Sequence, residues 1–256
     1  MKAFIALLLI SVFLFAHQVE RTYPIKYVFS ENENESKITK GTFELIVHVF
    51  DELYGKKLGN KKLIWTRDIL WENPYIGAGS NVIDGDFYVL LYGGLARAKY
   101  MTVGALSAVL CHEFGHKLGG LPHQQFPGEA VHWSSSEGQA DTFAAAHCLP
   151  QIYDRLKQTA PKLLSLQFED VTSTLCQSAI DVQRCQWVAT SGIDLIQAMQ
   201  VYFETEIPFA NPKIRSLERP ERSLITAYPS YQCRMDIYKT YAVNPKAPRL
   251  SCWYVD

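Results

Sequence analysis

The chain has 256 residues, 48% of them hydrophobic and 20% charged, with a formal net charge of −1. That length allows one sizeable core, or one domain with an appendage. With no basic patch, charge block, internal repeat or low-complexity segment, nucleic acid is not an expected partner and neither a solenoid nor a disordered scaffold is indicated.

The N-terminus, MKAFIALLLISVFLFAHQ, carries one Lys, then an apolar run from Ala3 to Ala16, then polar sequence. Fourteen residues, apolar but for Ser11, fall short of the ~20 that span a bilayer but suit the core of a signal peptide. Cleavage after Ala16 is the expectation. It leaves one domain over 17–256, exported to the periplasm or the medium, with no stable membrane span in the mature chain. Six cysteines, Cys111, Cys148, Cys176, Cys185, Cys233 and Cys252, fit disulfides in an oxidising compartment. Cys233 with Cys252 is the pairing easiest to form. Cys176 and Cys185, placed on one continuous helix, would be about 13 Å apart and unable to bridge.

In chain order, residues 17–38 read as polar and irregular. Phe43, Ile46, Val47, Phe50 and Leu53 recur at helical spacing between Thr39 and Tyr54, with His48 off the stripe. Lys62 to Thr66 is a candidate strand, and WENPYIGAGSNVIDGD reads as loop from its Asn, Gly and Pro content. Phe87 to Tyr92 (FYVLLY) is a β-rich run stopped by Gly93-Gly94. Thr102 is a candidate N-cap for a helix running to Leu118, with Gly119-Gly120 as its stop. After a loop over 122–136, a helix is expected from Ser136 to Leu156, kinked near Pro150, and the last hundred residues read as helices around 168–188, 192–205 and 230–240.

CHEFGHKLGG, residues 111–120, puts His112, Glu113 and His116 on the Thr102 helix. Two histidines four apart share one face, about one turn from each other, so one Zn²⁺ can be held by both imidazoles with Glu113 beside it as general base. A catalytic zinc takes three protein ligands and keeps one position open. Two residues compete for the third place. His123 nearly fits the H-E-x-x-H-x-x-G-x-x-H pattern, but Pro122 stands where its last His belongs. Glu137 and Asp141, four apart in SSSEGQAD, could share a face of the next helix, one carboxylate on the metal and the other accepting the spare N–H of a ligating His. Taken alone, the spacing favours an ordinary acidic helix start. Following H-E-x-x-H, the pattern favours the metal. His132 reads as a surface histidine of the loop and His147 as a packed one.

Three blocks resemble the gluzincin metallopeptidases, most of all the M48 type with its HtpX-like and Ste24-like peptidases: DGDFYVLLYGGLARAKYMTVGALSAVLCHEFGH, EGQAD and TAYPSYQCRMD. The spacing departs from that type, with only twenty residues between His116 and Glu137, and Tyr228 stands where the late motif has His. The resemblance implies an α+β zincin-like unit: a small sheet with an edge strand, an active-site helix and an E-x-x-x-D helix, with a largely helical C-terminal half. It implies Zn²⁺, one per chain, on His112, His116 and Glu137, with Asp141 behind a ligating His. It implies Glu113 as the base, Tyr228 or Arg234 as the oxyanion donor, and Phe87, Tyr88, Val89, Leu90 and Leu91 as an edge strand that binds a peptide or protein substrate by strand addition. The expected activity is zinc-dependent endopeptidase. The alternatives are a non-catalytic binding protein on the same fold, a zinc hydrolase of another class such as a cell-wall amidase, and a purely structural disulfide protein.

Overall fold

The computed structural model describes residues 34–65, 71–125, 132–164, 170–203 and 210–255. The expected signal peptide and its cleavage point lie outside these residues, as do the ends of several expected connections.

The first helix, α1 (Lys40–Tyr54), starts where Thr39 accepts a hydrogen bond from the Thr42 amide, and buries Phe43, Ile46, Val49, Phe50 and Tyr54. His48 is on its exposed side. A turn of 3₁₀ helix, Gly55–Leu58, leads to β1 (Leu63–Trp65). Then come β2 (Ala78–Ile83) and β3 (Asp86–Leu91), joined by a tight turn through Asp84 and Gly85, both at positive φ. A short α2 (Gly93–Arg97) precedes α3 (Val103–Leu118), the helix that carries the H-E-x-x-H motif. Its partner α4 (Glu137–Phe143) runs through a π-helical segment, Ala144–Cys148, into α5 (Leu149–Thr159). After a 3₁₀ turn, Pro161–Leu164, the remaining helices are α6 (Asp170–Leu175), α7 (Val182–Phe203) and α8 (Tyr231–Val243). The fold is mixed α+β, with one small sheet and a predominantly helical second half.

The sheet corrects two expectations. Its order is β1-β3-β2, with β1 parallel to β3 and β2 antiparallel to it. Phe87 to Leu91 are therefore the central strand and not an edge: Phe87, Tyr88 and Val89 pair with Leu63, Ile64 and Trp65 on one side, while the whole strand pairs with β2 on the other. The edge beside α3 is β2, inside the stretch expected as loop. Gly79, Ser80 and Asn81 are poor strand formers, yet their ladder to Leu90, Val89 and Tyr88 outweighs that preference.

Helix α3 is the spine of the core. Thr102 caps it by accepting from the Ala105 amide and donates to Asp194 of α7. On the face away from the motif histidines, Phe114 sits with its ring centroid 5.4 Å from Phe50, 5.1 Å from Tyr54, 5.3 Å from Phe87 and 6.1 Å from Trp65. This fully buried ring contributes about 2–3 kcal/mol by area alone, and it anchors the motif helix to α1 and to the sheet.

Three disulfides are present, Cys111–Cys148, Cys176–Cys185 and Cys233–Cys252. The last is the expected one. The second corrects the reading of a continuous helix: the chain leaves α6 at Leu175 and enters α7 at Val182, and the intervening turn brings the two Cα atoms to 5.7 Å. The irregularity expected near Pro150 is the π segment, Ala144–Cys148, which contains the residue four before the proline, whose carbonyl Pro150 cannot serve. His147, expected to be packed, is exposed. Among the described residues no helix is long and apolar enough to cross a membrane.

Candidate metal centre

Helices α3 and α4 meet at Gly115, inside the motif. A Cβ at that position would lie 2.6 Å from the Ala140 carbonyl oxygen and 2.8 Å from the Ala140 Cα, so only glycine allows the two backbones this close. The approach brings residues one turn apart on each helix face to face, His112 and His116 against Glu137 and Asp141. The Cys111–Cys148 bridge ties α3 to the end of the π segment at the residue next to His112.

His112 Nε2 lies 3.1 Å from Glu137 Oε2, and His116 Nε2 lies 3.7 Å from Glu137 Oε1. The three residues are 5–8% exposed, and one ligand atom from each falls within 4.8 Å of the others. Those separations bracket the ~3.3 Å edge of a tetrahedron built on metal–ligand bonds of about 2.0–2.1 Å.

The remaining ring nitrogens fix the tautomers. His112 Nδ1 is 2.8 Å from Asp141 Oδ1, and His116 Nδ1 is 2.9 Å from the Ser135 carbonyl oxygen. An ionised carboxylate and a carbonyl can only accept, so both Nδ1 atoms carry a proton, and a neutral imidazole in either place presents its lone pair from Nε2. Buried Glu137 Oε2 faces His112 Nε2 at 3.1 Å and has no other partner. Either a second proton on His112 or a metal cation satisfies Nε2 and the carboxylate together, and two imidazoles with a carboxylate form a donor set open to several divalent first-row metals. This buried group can hold a metal ion.

The charges are arranged to match. Burial alone would raise the Asp141 carboxyl, but the Arg234 guanidinium and the His112 ring hold it well below the usual range. Arg234 donates from Nε to Asp141 Oδ2 at 2.7 Å and from Nη2 to Oδ1 at 3.0 Å, and Tyr238 adds its hydroxyl to Oδ1 at 3.2 Å. Burial and the Asp141 charge keep the Tyr238 phenol protonated, hence a donor. For His112, burial disfavours the cation, yet Asp141 and Glu137 outweigh it and push the metal-free imidazole up to about 10. Without a metal, a second proton takes the cation's place. The same exchange lowers Glu137: burial opposes, while the hydrogen bond from His112 and the charges of His116, His112 and Arg234 prevail.

Glu113 is 9% exposed, and its Oε2 accepts from the Ser80 hydroxyl of the edge strand at 2.9 Å. Gln124 donates to Glu137 Oε1 at 3.2 Å, and the Ser134 hydroxyl lies 2.9 Å from His116 Nδ1. No motif spacing pointed to Ser80, Gln124, Ser134, Ser135 or Tyr238; they reach the site through the β2 edge, the loop after the motif, the approach to α4 and the C-terminal helix. Ser136 is the N-cap residue of α4 by position, but its side chain makes no capping bond.

No protein-family model, curated protein or solved structure matches this chain. The site stands on its own residues.

The other expected site residues fall as follows. His123 is outside the converging group and pairs through its backbone with Ser135. His132 is half-buried, its Nδ1 accepting from the Ser134 amide at 3.3 Å. Arg234 is 2% exposed and committed to Asp141 on the Nδ1 side of His112, away from the lone pair that faces Glu137. Tyr228 is 52% exposed, lies over the Arg234 guanidinium at 5.8 Å and lines an open groove of about 460 Å³ with Glu218, Arg219 and Leu224.

Proposed function

We propose that the protein is an exported zinc-dependent metalloendopeptidase of gluzincin type, similar to the M48 peptidases. The observation that carries the reading is the convergence of His112 Nε2 and His116 Nε2 on the buried Glu137 carboxylate, with a second carboxylate, Glu113, one residue after His112 on α3. A site that only braced the fold would be closed by four protein ligands and would have no use for a general base. The three disulfides suit export.

In this reading His112, His116 and Glu137 hold Zn²⁺. When bound, the metal supplies acidity to a water and polarises the scissile carbonyl. Asp141 keeps the His112 proton on Nδ1, and the Ser135 carbonyl does the same for His116. Glu113 takes a proton from the attacking water and passes it to the leaving amine nitrogen. Ser80 holds Oε2 of that carboxylate, and no other side chain hydrogen-bonds to it among the described residues, so Oε1 is left for the proton. Arg234 is a positioning residue, since Nε and Nη2 donate to Asp141 and Nη1 to Met199 Sδ. The oxyanion role of Tyr228 rests on the resemblance alone. The edge that a substrate strand would extend is β2, which replaces Phe87 to Leu91 in that role.

The test is cleavage of casein or a peptide library by zinc-loaded wild type and by Glu113→Gln. Cuts at peptide bonds that vanish in the variant while its zinc is retained support the reading. A zinc-loaded wild type that leaves every peptide intact overturns the peptidase assignment and directs the search to other hydrolysable substrates.

A further inference from the structure

The first turns of α8 contribute more to the metal centre than the Arg234 ion pair. We propose that Tyr238 is a positioning residue of the metal site, acting on His112 through Asp141; the proposal rests on the metal-site reading above.

Asp141 Oδ1 receives three donors, His112 Nδ1, Arg234 Nη2 and the Tyr238 hydroxyl, while Oδ2 receives Arg234 Nε. Arg234 and Tyr238 are four apart on α8 and share one face. Arg234 balances the charge of Asp141 through a two-point contact, and the Tyr238 hydroxyl adds a neutral donor to Oδ1, the same oxygen that takes the His112 Nδ1–H. That hydroxyl has no accessible alternative, because Tyr238 is 0% exposed.

The side chain itself is held by α7. A Cβ on Gly192 would come within 2.1 Å of Tyr238 Cγ and 2.2 Å of its Cβ, so the base of the Tyr238 side chain packs against bare helix backbone. One turn before Tyr238, the Cys233–Cys252 bridge fixes the start of α8. A rotation of Asp141 would carry the His112 Nδ1–H with it and turn Nε2 off the Glu137 carboxylate. Outer partners of metal-ligating histidines change metal affinity about 10–100-fold when removed. Tyr238 acts at one remove from the imidazole, which sets the expectation at the lower end.

The experiment compares wild type, Tyr238→Phe and Tyr241→Phe for zinc affinity by competition with a chromophoric chelator, and for the visible absorption of the cobalt(II)-loaded chain. Tyr241 is a second buried tyrosine on α8, whose hydroxyl donates to the Pro248 carbonyl instead. The expected result is zinc binding about 10-fold weaker and an altered cobalt spectrum in Tyr238→Phe alone, with the thermal midpoints of both metal-free variants alike. Equal zinc affinity in Tyr238→Phe and wild type overturns the proposal. Equal loss in both variants also overturns it, since any buried hydroxyl would then serve. A wild type that takes up neither metal overturns the metal reading itself, and this proposal with it. If Tyr238→Phe does not fold, proton NMR of the wild type decides: a slowly exchanging Tyr238 hydroxyl that shifts on zinc addition supports the proposal, and one unmoved by zinc overturns it.

Discussion

Asp141 Oδ1 lies 2.8 Å from His112 Nδ1, and both residues are buried, Asp141 fully and His112 to 7% exposure. A buried carboxylate is tolerated only because Arg234, His112 and Tyr238 all donate to it. The same arrangement dictates which nitrogen of His112 is left to bind.

Asp141→Asn should therefore injure both stability and metal binding. It leaves Arg234 buried without its counter-charge, a loss of about 3 kcal/mol or more. It also frees the His112 tautomer, weakening zinc binding by about 10–100-fold. Denaturant unfolding of the metal-free chain and chelator competition measure the two effects. A variant as stable as wild type would show that the pair contributes nothing.

Gly115→Ala should be far more harmful than an alanine in a helix usually is. The new Cβ would press on the Ala140 backbone, which cannot move without carrying Glu137 and Asp141 away from the histidines. A loss of about 2–4 kcal/mol is expected, together with the loss of zinc. Gly41→Ala is the control: it is exposed in α1 with nothing within 4 Å of the added Cβ, and it should stabilise by about 0.5–1 kcal/mol. Similar thermal midpoints for the two variants would contradict the close approach.

Acid should destabilise the metal-free protein through Asp141. Its folded pKa lies below the ordinary 3.8, so its contribution is present above that value and is lost as pH falls through the folded one. His112 has the opposite sign: raised from 6.5 to about 10, it stabilises fully below 6.5 and loses that contribution as pH rises toward 10. The metal-free chain should be most stable between about pH 4 and 6.5 as far as these groups decide it. Zinc should remove the alkaline loss, because the neutral imidazole is then the ligand. Thermal melts from pH 3 to 10, with and without zinc, test this; an alkaline loss unchanged by zinc would separate His112 from the metal.

The disulfides should differ in weight. Closing a separation of 37 residues, Cys111–Cys148 should contribute about 4 kcal/mol on the chain-entropy model, and Cys176–Cys185, nine residues apart, about 2.5 kcal/mol. Paired Cys→Ser variants in urea measure both. Only the first should also weaken zinc binding, since it adjoins His112.

The motif helix and the Glu137–Asp141 helix were legible in the sequence because both depend on local signals: Thr102 as a cap, Gly119-Gly120 as a stop, and four-residue spacings that put ligands on one face. The β2 strand was not, because AGSNVI has weak strand preference and is held by its ladder to β3. The edge assignment of Phe87 to Leu91 failed for a related reason: Leu63–Trp65 returns from over twenty residues upstream to pair with its other side. Cys176–Cys185 was concealed by a break between α6 and α7 that carries neither Gly nor Pro. Ser80 and Tyr238 reach the site from a strand and a helix far along the chain from the motif, and no spacing marks them; Ser135 adjoins the marked SSSEGQAD stretch, but its role is played by its backbone carbonyl, which no side-chain pattern reveals.

Joint binding of one zinc ion by His112, His116 and Glu137 is tested by zinc stoichiometry and affinity of the purified protein beside Glu137→Ala. One zinc per chain in wild type, and loss of that zinc in the variant under the same chelator, are expected. Full zinc in Glu137→Ala would remove Glu137 from the site and return His123 to consideration as the third ligand.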